Sequence, residues 1–166
     1  MLATGIIHHA NFLEIIRHPW FMSAFLAALS AQLIKMVDVW IKTGRMDLRR
    51  ALKSSGGMPS THSALVSALS LAICMTDGFD KPYSMVAVGL SLIVLVDAAT
   101  LRREAGEHAK LLNRIVAHLN TANDDDRLEA QRLEERLGHS RREVLAGVLW
   151  GCFVAWAVCA CWDFWK

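Results

Sequence analysis

A chain of 166 residues is long enough for one domain and short for two. Hydrophobic residues make up 54% of the chain and only 20% are charged, which excludes an ordinary soluble domain and, because the apolar residues come in blocks, indicates an integral membrane protein. The net charge is only +2 and no basic stripe interleaves with aromatic residues, which argues against a nucleic-acid partner.

The first predicted membrane helix runs from Trp20 to Trp40. Twenty helical residues span about 30 Å, the hydrocarbon thickness of a bilayer, and a tryptophan at each end fits the interfacial aromatic belts. Its last third holds Gln32, Lys35 and Asp38. Ionisable groups inside a membrane are costly unless they face a polar interior, so this group indicates a functional site. An equally good alternative is that Lys35 reaches the interface or pairs with Asp38.

A basic loop over residues 41–62 ends in Gly56-Gly57-Met58-Pro59-Ser60-Thr61-His62-Ser63. Glycines let backbone N–H groups converge, and a helix N-terminus adds unpaired donors and partial positive charge. The stretch therefore predicts an anion site, with phosphate as the usual anion and His62 placed to exchange a proton with it. The alternative is a plain helix cap beside an incidental histidine.

Two more apolar helices follow this loop. The first covers residues 63–76 and is short for a span, and its serines at positions 63, 67 and 70 share one face that favours close helix packing. The next predicted span covers residues 83–101 and carries Asp97 near its end.

The polar segment 102–142 is predicted to lie on the membrane surface. Residues 104–119 show amphipathic helical spacing, and residues 127–137 are predicted to form a second charged helix. This excursion belongs to the single membrane-embedded domain that we expect over residues 1–166.

The last span is predicted from about Glu143 to Trp165. Gly147 and Gly151 form a small-xxx-small pair in it, which serves packing within the bundle or a homodimer equally well. The expected fold is therefore all-α, an integral membrane bundle of about four spanning helices with surface amphipathic helices.

With four spans, the loops 41–62 and 102–142 lie on one side of the membrane. Both are rich in lysine and arginine, and the opposite turn at 77–82 is nearly neutral, so the positive-inside tendency places them in the cytoplasm. Three polar clusters then meet at one end of the bundle: residues 59–62, Asp97 with Arg102 and Arg103, and His139 with Glu143.

His139 and Glu143 are spaced i and i+4 and so share one helix face. A carboxylate that accepts a hydrogen bond from one imidazole nitrogen fixes the tautomer and leaves the other nitrogen free. The pair predicts a histidine nucleophile oriented by a glutamate. Alone, the pair would favour the alternative, an ordinary histidine at a helix start and an exposed glutamate in the first turn.

Three stretches stand in a specific order along the chain: Gly56–Ala64, Asp97–Gly106 and Gly138–Gly147. Together they resemble the divergent branch of the type 2 phosphatidic acid phosphatase family, which is related to acid phosphatases and vanadium-dependent haloperoxidases. The first is similar to the family's proline-serine-glycine-histidine motif, with Thr61 in place of glycine. The last is similar to its motif of histidine, three residues and aspartate, with Glu143 in place of aspartate, and the middle stretch resembles its arginine segment.

The resemblance implies a phosphatase in the bacterial inner membrane that acts on a lipid phosphate or diphosphate without a metal or other cofactor. By this resemblance His139 would attack phosphorus and become phosphohistidine, Glu143 would orient it, and His62 would protonate the leaving oxygen and then activate water. Further site residues implied or considered are Arg103, Arg102, Ser60, Thr61, Lys35, Lys42, Arg49 and Asp97.

This sequence also departs from the family pattern. The family's first motif is lysine, six residues, then arginine-proline. Lys42 and Arg49 have that spacing, but Arg50 replaces proline and Lys35 competes for the role. The replacements at Thr61 and Glu143 leave a second function open, that of a non-catalytic membrane protein that binds an anionic lipid head group in the same pocket.

Overall fold

The computed structural model describes residues 12–44, 57–122, 132–135 and 138–165, and within these ranges it contains helices and no strand. This confirms the all-α class. The helices are α1 (Phe12–Arg17), α2 (Pro19–Thr43), α3 (Thr61–Asp77), α4 (Pro82–Ala99), α5 (Leu101–Ala122) and α6 (Arg141–Trp165).

Three apolar helical stretches in the described residues are long enough to cross a membrane: Pro19–Ile41, Pro82–Thr121 and Arg141–Trp162. The short second span of the sequence analysis is α3, which has 17 residues, fewer than the roughly 20 that cross a bilayer. It packs against α2, α4 and α6 and so forms the centre of the bundle.

Helix α3 runs antiparallel to α2, and one hydrogen bond joins the two helices near each end. Trp20 Nε1 donates to Thr76 Oγ1 at 2.7 Å, and Thr61 Oγ1 donates to Gln32 Oε1 at 3.2 Å. Small side chains at the contact let helix backbones approach closely. The buried core consists of Ala27, Ala31, Ala64, Ala68, Ala72, Ala155 and Cys159.

The contact between α3 and α6 is tighter still, because Gly147 and Gly151 lie in it. A Cβ atom added to Gly147 would lie 2.6 Å from the Ser60 carbonyl oxygen and 2.8 Å from Ser63 Cβ. A Cβ on Gly151 would collide with the backbone of Ala64. The glycine pair therefore serves packing within the bundle, and the homodimer stays a prediction.

Helix α5 carries an exposed apolar stripe that includes Leu112, Ile115 and Leu119, and among the described helices it contacts only α4.

The prediction of a charged helix over residues 127–137 is wrong for residues 132–135, which are not helical. The rest of that segment lies outside the described residues. The Asn113 side chain explains this. It accepts the Leu133 N–H at 3.0 Å and donates to the Leu133 carbonyl at 2.9 Å, so it satisfies the groups that a helix would use.

We expect Gly147→Ala to destabilise the protein by about 1–3 kcal/mol, because the added methyl group meets a backbone oxygen that cannot move without shifting α3. Gly89→Ala is the matched control, since a Cβ there meets nothing within 4 Å. Thermal unfolding in detergent micelles measures the difference. Equal unfolding midpoints for the two variants would show that the α3–α6 contact accommodates the added methyl group without loss of stability.

Candidate functional site

Three segments meet at the end of the bundle where α3 and α6 begin. The Ser60 N–H donates to the Glu143 carbonyl at 3.0 Å, and the His139 N–H donates to the carbonyl of Ala98, at the end of α4, at 3.3 Å. The last half of α2 closes the third side. We call the group formed by Lys35, Ser60, His62, His139 and Glu143 the histidine site.

His139 and Glu143 form the centre of the histidine site. The imidazole is 5% exposed, and its Nδ1 lies 3.4 Å from Glu143 Oε2. This is an ion-pair distance, longer than a well-aligned charge-assisted hydrogen bond, and within the described residues Nδ1 has no aligned hydrogen-bond partner. The imidazole is thus directed at the carboxylate with Nδ1, which leaves Nε2 for other chemistry.

The Glu143 carboxylate is held by two backbone donors from different segments. Ser140 N–H donates to Oε2 at 2.8 Å, and Gly57 N–H donates to Oε1 at 3.2 Å. Because the Glu143 N–H also donates to Ser140 Oγ at 3.3 Å, residues 140–143 form a capping box at the start of α6. Glu143 therefore fills both roles that the sequence left open, as a first-turn cap and as the partner of His139.

Burial lowers the pKa of the His139 imidazole below its usual value, and the nearby positive charge of Lys35 lowers it further, against a smaller opposing effect of Glu143. The imidazole is therefore neutral at ordinary pH. A neutral imidazole has a free lone pair, which a nucleophile requires.

His62 lies in the first turn of α3, as the glycine-rich stretch predicted. Its ring centroid is 6.5 Å from that of His139, with 55° between the ring planes. Whereas His139 is buried, His62 is exposed, so it can exchange protons with water. The two imidazoles thus present one buried and one solvent-accessible titratable group to the same space.

Among the lysines whose side chains the structure describes, Lys35 lies at this end of the bundle. It is 6% exposed, and a Cβ on Gly57 would lie 3.7 Å from Lys35 Cδ. Gly57 has φ +104°, a backbone conformation that favours glycine. Because glycine has no side chain, there is room beside it for the aliphatic part of Lys35. Lys42 lies seven residues, roughly 10 Å, further along α2, and its side chain is outside the described residues, as is all of Arg49.

The arginines of the middle stretch follow the end of α4, whose Ala98 carbonyl accepts the His139 N–H, and their role at the site stays a prediction. Arg103 is exposed on α5, which touches neither α3 nor α6 in the described structure. The Arg102 side chain lies outside the described residues. Asp97 is half-buried on α4, next to Ala98, whose carbonyl accepts the His139 N–H.

The two hydroxyl groups expected to hold phosphate are engaged within the protein. Ser60 is fully buried as the N-cap of α3, where its Oγ accepts the Ser63 N–H at 3.4 Å and the Ser63 hydroxyl at 3.0 Å. The Thr61 hydroxyl donates to Gln32. Backbone N–H groups at this helix start are further donors that it can offer to an anion.

Sequence reasoning overlooked Arg142. It is exposed in the first turn of α6 and lines, with Gly57 and Glu143, an open groove of about 800 Å³. The available signal was the serine and glutamate three residues apart at Ser140 and Glu143, a pattern that marks a helix start and encloses Arg142. No cluster of three histidine, cysteine or acidic side chains suited to a metal ion occurs in the described ranges.

The fold defines a helical membrane protein. Residues 16–154 match the Divergent PAP2 family, and the chain belongs to that family. It is 32% identical over 147 residues to the uncharacterized membrane protein YuiD of Bacillus subtilis (strain 168), across 84% of this chain and 92% of that protein. No solved structure gives a significant match. The resemblance drawn from the three motifs is thereby confirmed.

We expect Lys35→Met to raise the pKa of His139, because the positive charge that opposes imidazole protonation is removed. Wild-type His139 should titrate below the usual value of about 6.5, and the variant closer to it. Histidine NMR titration, with the His139 signal assigned by its loss in His139→Asn, measures the shift. Arg103→Met is the control and should leave the titration unchanged. Equal shifts in both variants would contradict the placement of Lys35.

Proposed function

We propose that the protein is a metal-independent membrane phosphatase that hydrolyses a lipid phosphate or diphosphate through a phosphohistidine intermediate. One observation carries the proposal. A buried histidine points Nδ1 at a carboxylate that is itself fixed by two backbone N–H donors. Such an arrangement prepares the other nitrogen, Nε2, for nucleophilic attack.

In the first step, the lone pair of His139 Nε2 attacks phosphorus, and the bond from phosphorus to the leaving oxygen breaks. His62 gives its proton to that oxygen, and the alcohol or phosphate leaves. In the second step, His62 takes a proton from water, the hydroxide attacks phosphorus, and the N–P bond breaks to release phosphate and neutral His139. His62 suits this shuttle because it faces His139 on one side and solvent on the other.

The negative charge on the transferring phosphoryl group is stabilised by Lys35 and by backbone N–H groups at the start of α3. Phosphoryl transfer depends mainly on positioning and on such charge stabilisation. Because Lys35 is buried, its charge acts through a medium that screens it less than water does. Arg103, Arg102, Lys42 and Arg49 remain proposed contributors to this stabilisation.

The proposed location is the bacterial inner membrane, with the histidine site on the cytoplasmic side. The basic loops 41–62 and 102–142 support this orientation. A lipid substrate reaches such a site sideways from the bilayer, with its phosphate at the level of the helix ends.

One observation favours a second function, the binding of an anionic lipid head group without turnover. The hydroxyls of Ser60 and Thr61 are engaged inside the protein, and Arg103 is exposed on a helix that does not pack against α3 or α6. A pocket with fewer groups directed at phosphate binds an anion but stabilises its transition state less.

The direct test is release of inorganic phosphate by purified protein from a panel that includes phosphatidic acid and a polyprenyl diphosphate, in the presence of EDTA. We expect turnover that vanadate inhibits. His139→Ala should abolish it, and Glu143→Gln should lower kcat by about 100-fold or more, comparable to the loss of other orienting carboxylates. Leu145→Ala is the control, because Leu145 lies on the same helix but is exposed and outside the site.

Three results would decide between the proposals. Acid-labile phosphate trapped on the wild-type protein and missing from His139→Ala would support the phosphohistidine mechanism. Full activity in His139→Ala would eliminate His139 as the nucleophile. Lipid that copurifies with the protein, together with no turnover over the whole panel, would favour the binding function.

A further inference from the structure

An open groove lies between α2 and α6 and is closed at one end by residues 57–59. We call it the α2–α6 groove. Its volume is about 800 Å³, within the range of pockets that hold organic ligands. Asp38, Arg142 and Glu143 line its polar end, and Ile34, Leu149 and Trp150 line its apolar part.

The groove extends into the hydrocarbon region. Ile34 and Leu149 are exposed apolar residues on two membrane-spanning helices, so the groove opens sideways to lipid chains. From Arg142 to Trp150 the helix rises by roughly 12 Å, about two-fifths of the hydrocarbon core. A ligand that fills it must be polar at one end and a hydrocarbon chain beyond.

Trp150 lines the deep end of the groove, and a hydrogen bond holds its ring in place. Its indole N–H donates to Ser30 Oγ of α2 at 2.8 Å, which satisfies the only polar atom of the ring. The ring therefore presents apolar surface to the groove, and the hydrogen bond holds α2 and α6 at a set distance. This favours an extended chain over a polar ligand at that depth.

The polar end of the groove adjoins the histidine site through one residue. Glu143 lines the groove, and its Oε2 atom lies 3.4 Å from His139 Nδ1. Gly57, whose N–H binds the same carboxylate, also lines the groove. Exposed Arg142 provides the cation at this end, where the carboxylates of Asp38 and Glu143 each already interact with other groups of the protein.

We propose that the α2–α6 groove binds a hydrocarbon chain of the substrate, a long-chain lipid phosphate, with its phosphate at the Arg142 end beside His139. This inference rests on the proposed phosphatase function and adds a chain subsite to it. It makes the length of the chain, and not only the phosphate, a determinant of affinity.

The test compares two alanine-to-phenylalanine variants. Ala146→Phe fills the α2–α6 groove, which Ala146 lines. Ala28→Phe is the matched control, because Ala28 lines a groove of similar size, about 680 Å³, between α1, α2 and α3, which the residues of the histidine site do not line. Both variants are assayed on dioleoyl phosphatidic acid in mixed micelles and on water-soluble dibutyryl phosphatidic acid.

We expect Ala146→Phe to lower kcat/KM for the long-chain substrate by about tenfold or more, mainly through KM, and to change the short-chain value by less than about twofold. Ala28→Phe should change neither. An equal loss on both substrates would show damage to the histidine site instead, and no loss on either would remove the chain subsite. Leu149→Trp provides a second groove-filling variant, should Ala146→Phe fail to fold.

A photolabelling experiment separates the chain subsite from the phosphatase activity. A phosphatidic acid with a diazirine at the end of its chain should label the segment around Leu149 and Trp150 in the wild type and in Ala28→Phe, and not in Ala146→Phe. If the wild type shows no turnover but this label is found, the phosphatase proposal fails and the lipid site stands. Equal labelling by a phosphatidylcholine probe would show a general lipid groove and overturn the assignment to substrate.

Discussion

The close contact between the starts of α3 and α6 is the constraint on which the rest of the site depends. Gly147 lets the α6 backbone approach Ser60 and Ser63, and the Ser60 N–H then reaches the Glu143 carbonyl. Any side chain at position 147 would separate these two helix ends. Because His62 begins one helix and His139 precedes the other, the distance between the imidazoles is set by the backbone contact of their helices.

Glu143 combines a structural and a chemical task in one carboxylate. As the third residue of α6 it completes a capping box, a position where glutamate is favoured for its reach back to the N-cap N–H. The same carboxylate accepts the Gly57 N–H and faces His139. The departure from the family's aspartate therefore suits this local geometry, since the longer arm serves the cap, the loop and the imidazole together.

The membrane setting explains why Lys35 is placed as it is. A lysine inside a spanning helix is costly unless it faces a polar interior, and here the interior is the histidine site. Its charge acts on His139 and Glu143. Buried hydroxyls elsewhere also have partners inside the protein. Ser70 and Ser91 donate to helix carbonyls, so their hydroxyls are satisfied without water. These small residues also let α3 and α4 pack closely.

The sequence by itself determined the all-α membrane class, the family and the spacing of His139 and Glu143, because hydropathy, motif order and helical period are local properties. It could not show that Lys35 is buried against Gly57, since that depends on how α2 packs against this loop. Nor could it show that Arg142 lines a groove beside Glu143. The tertiary structure decided both placements, because they depend on how helices distant in the sequence pack together.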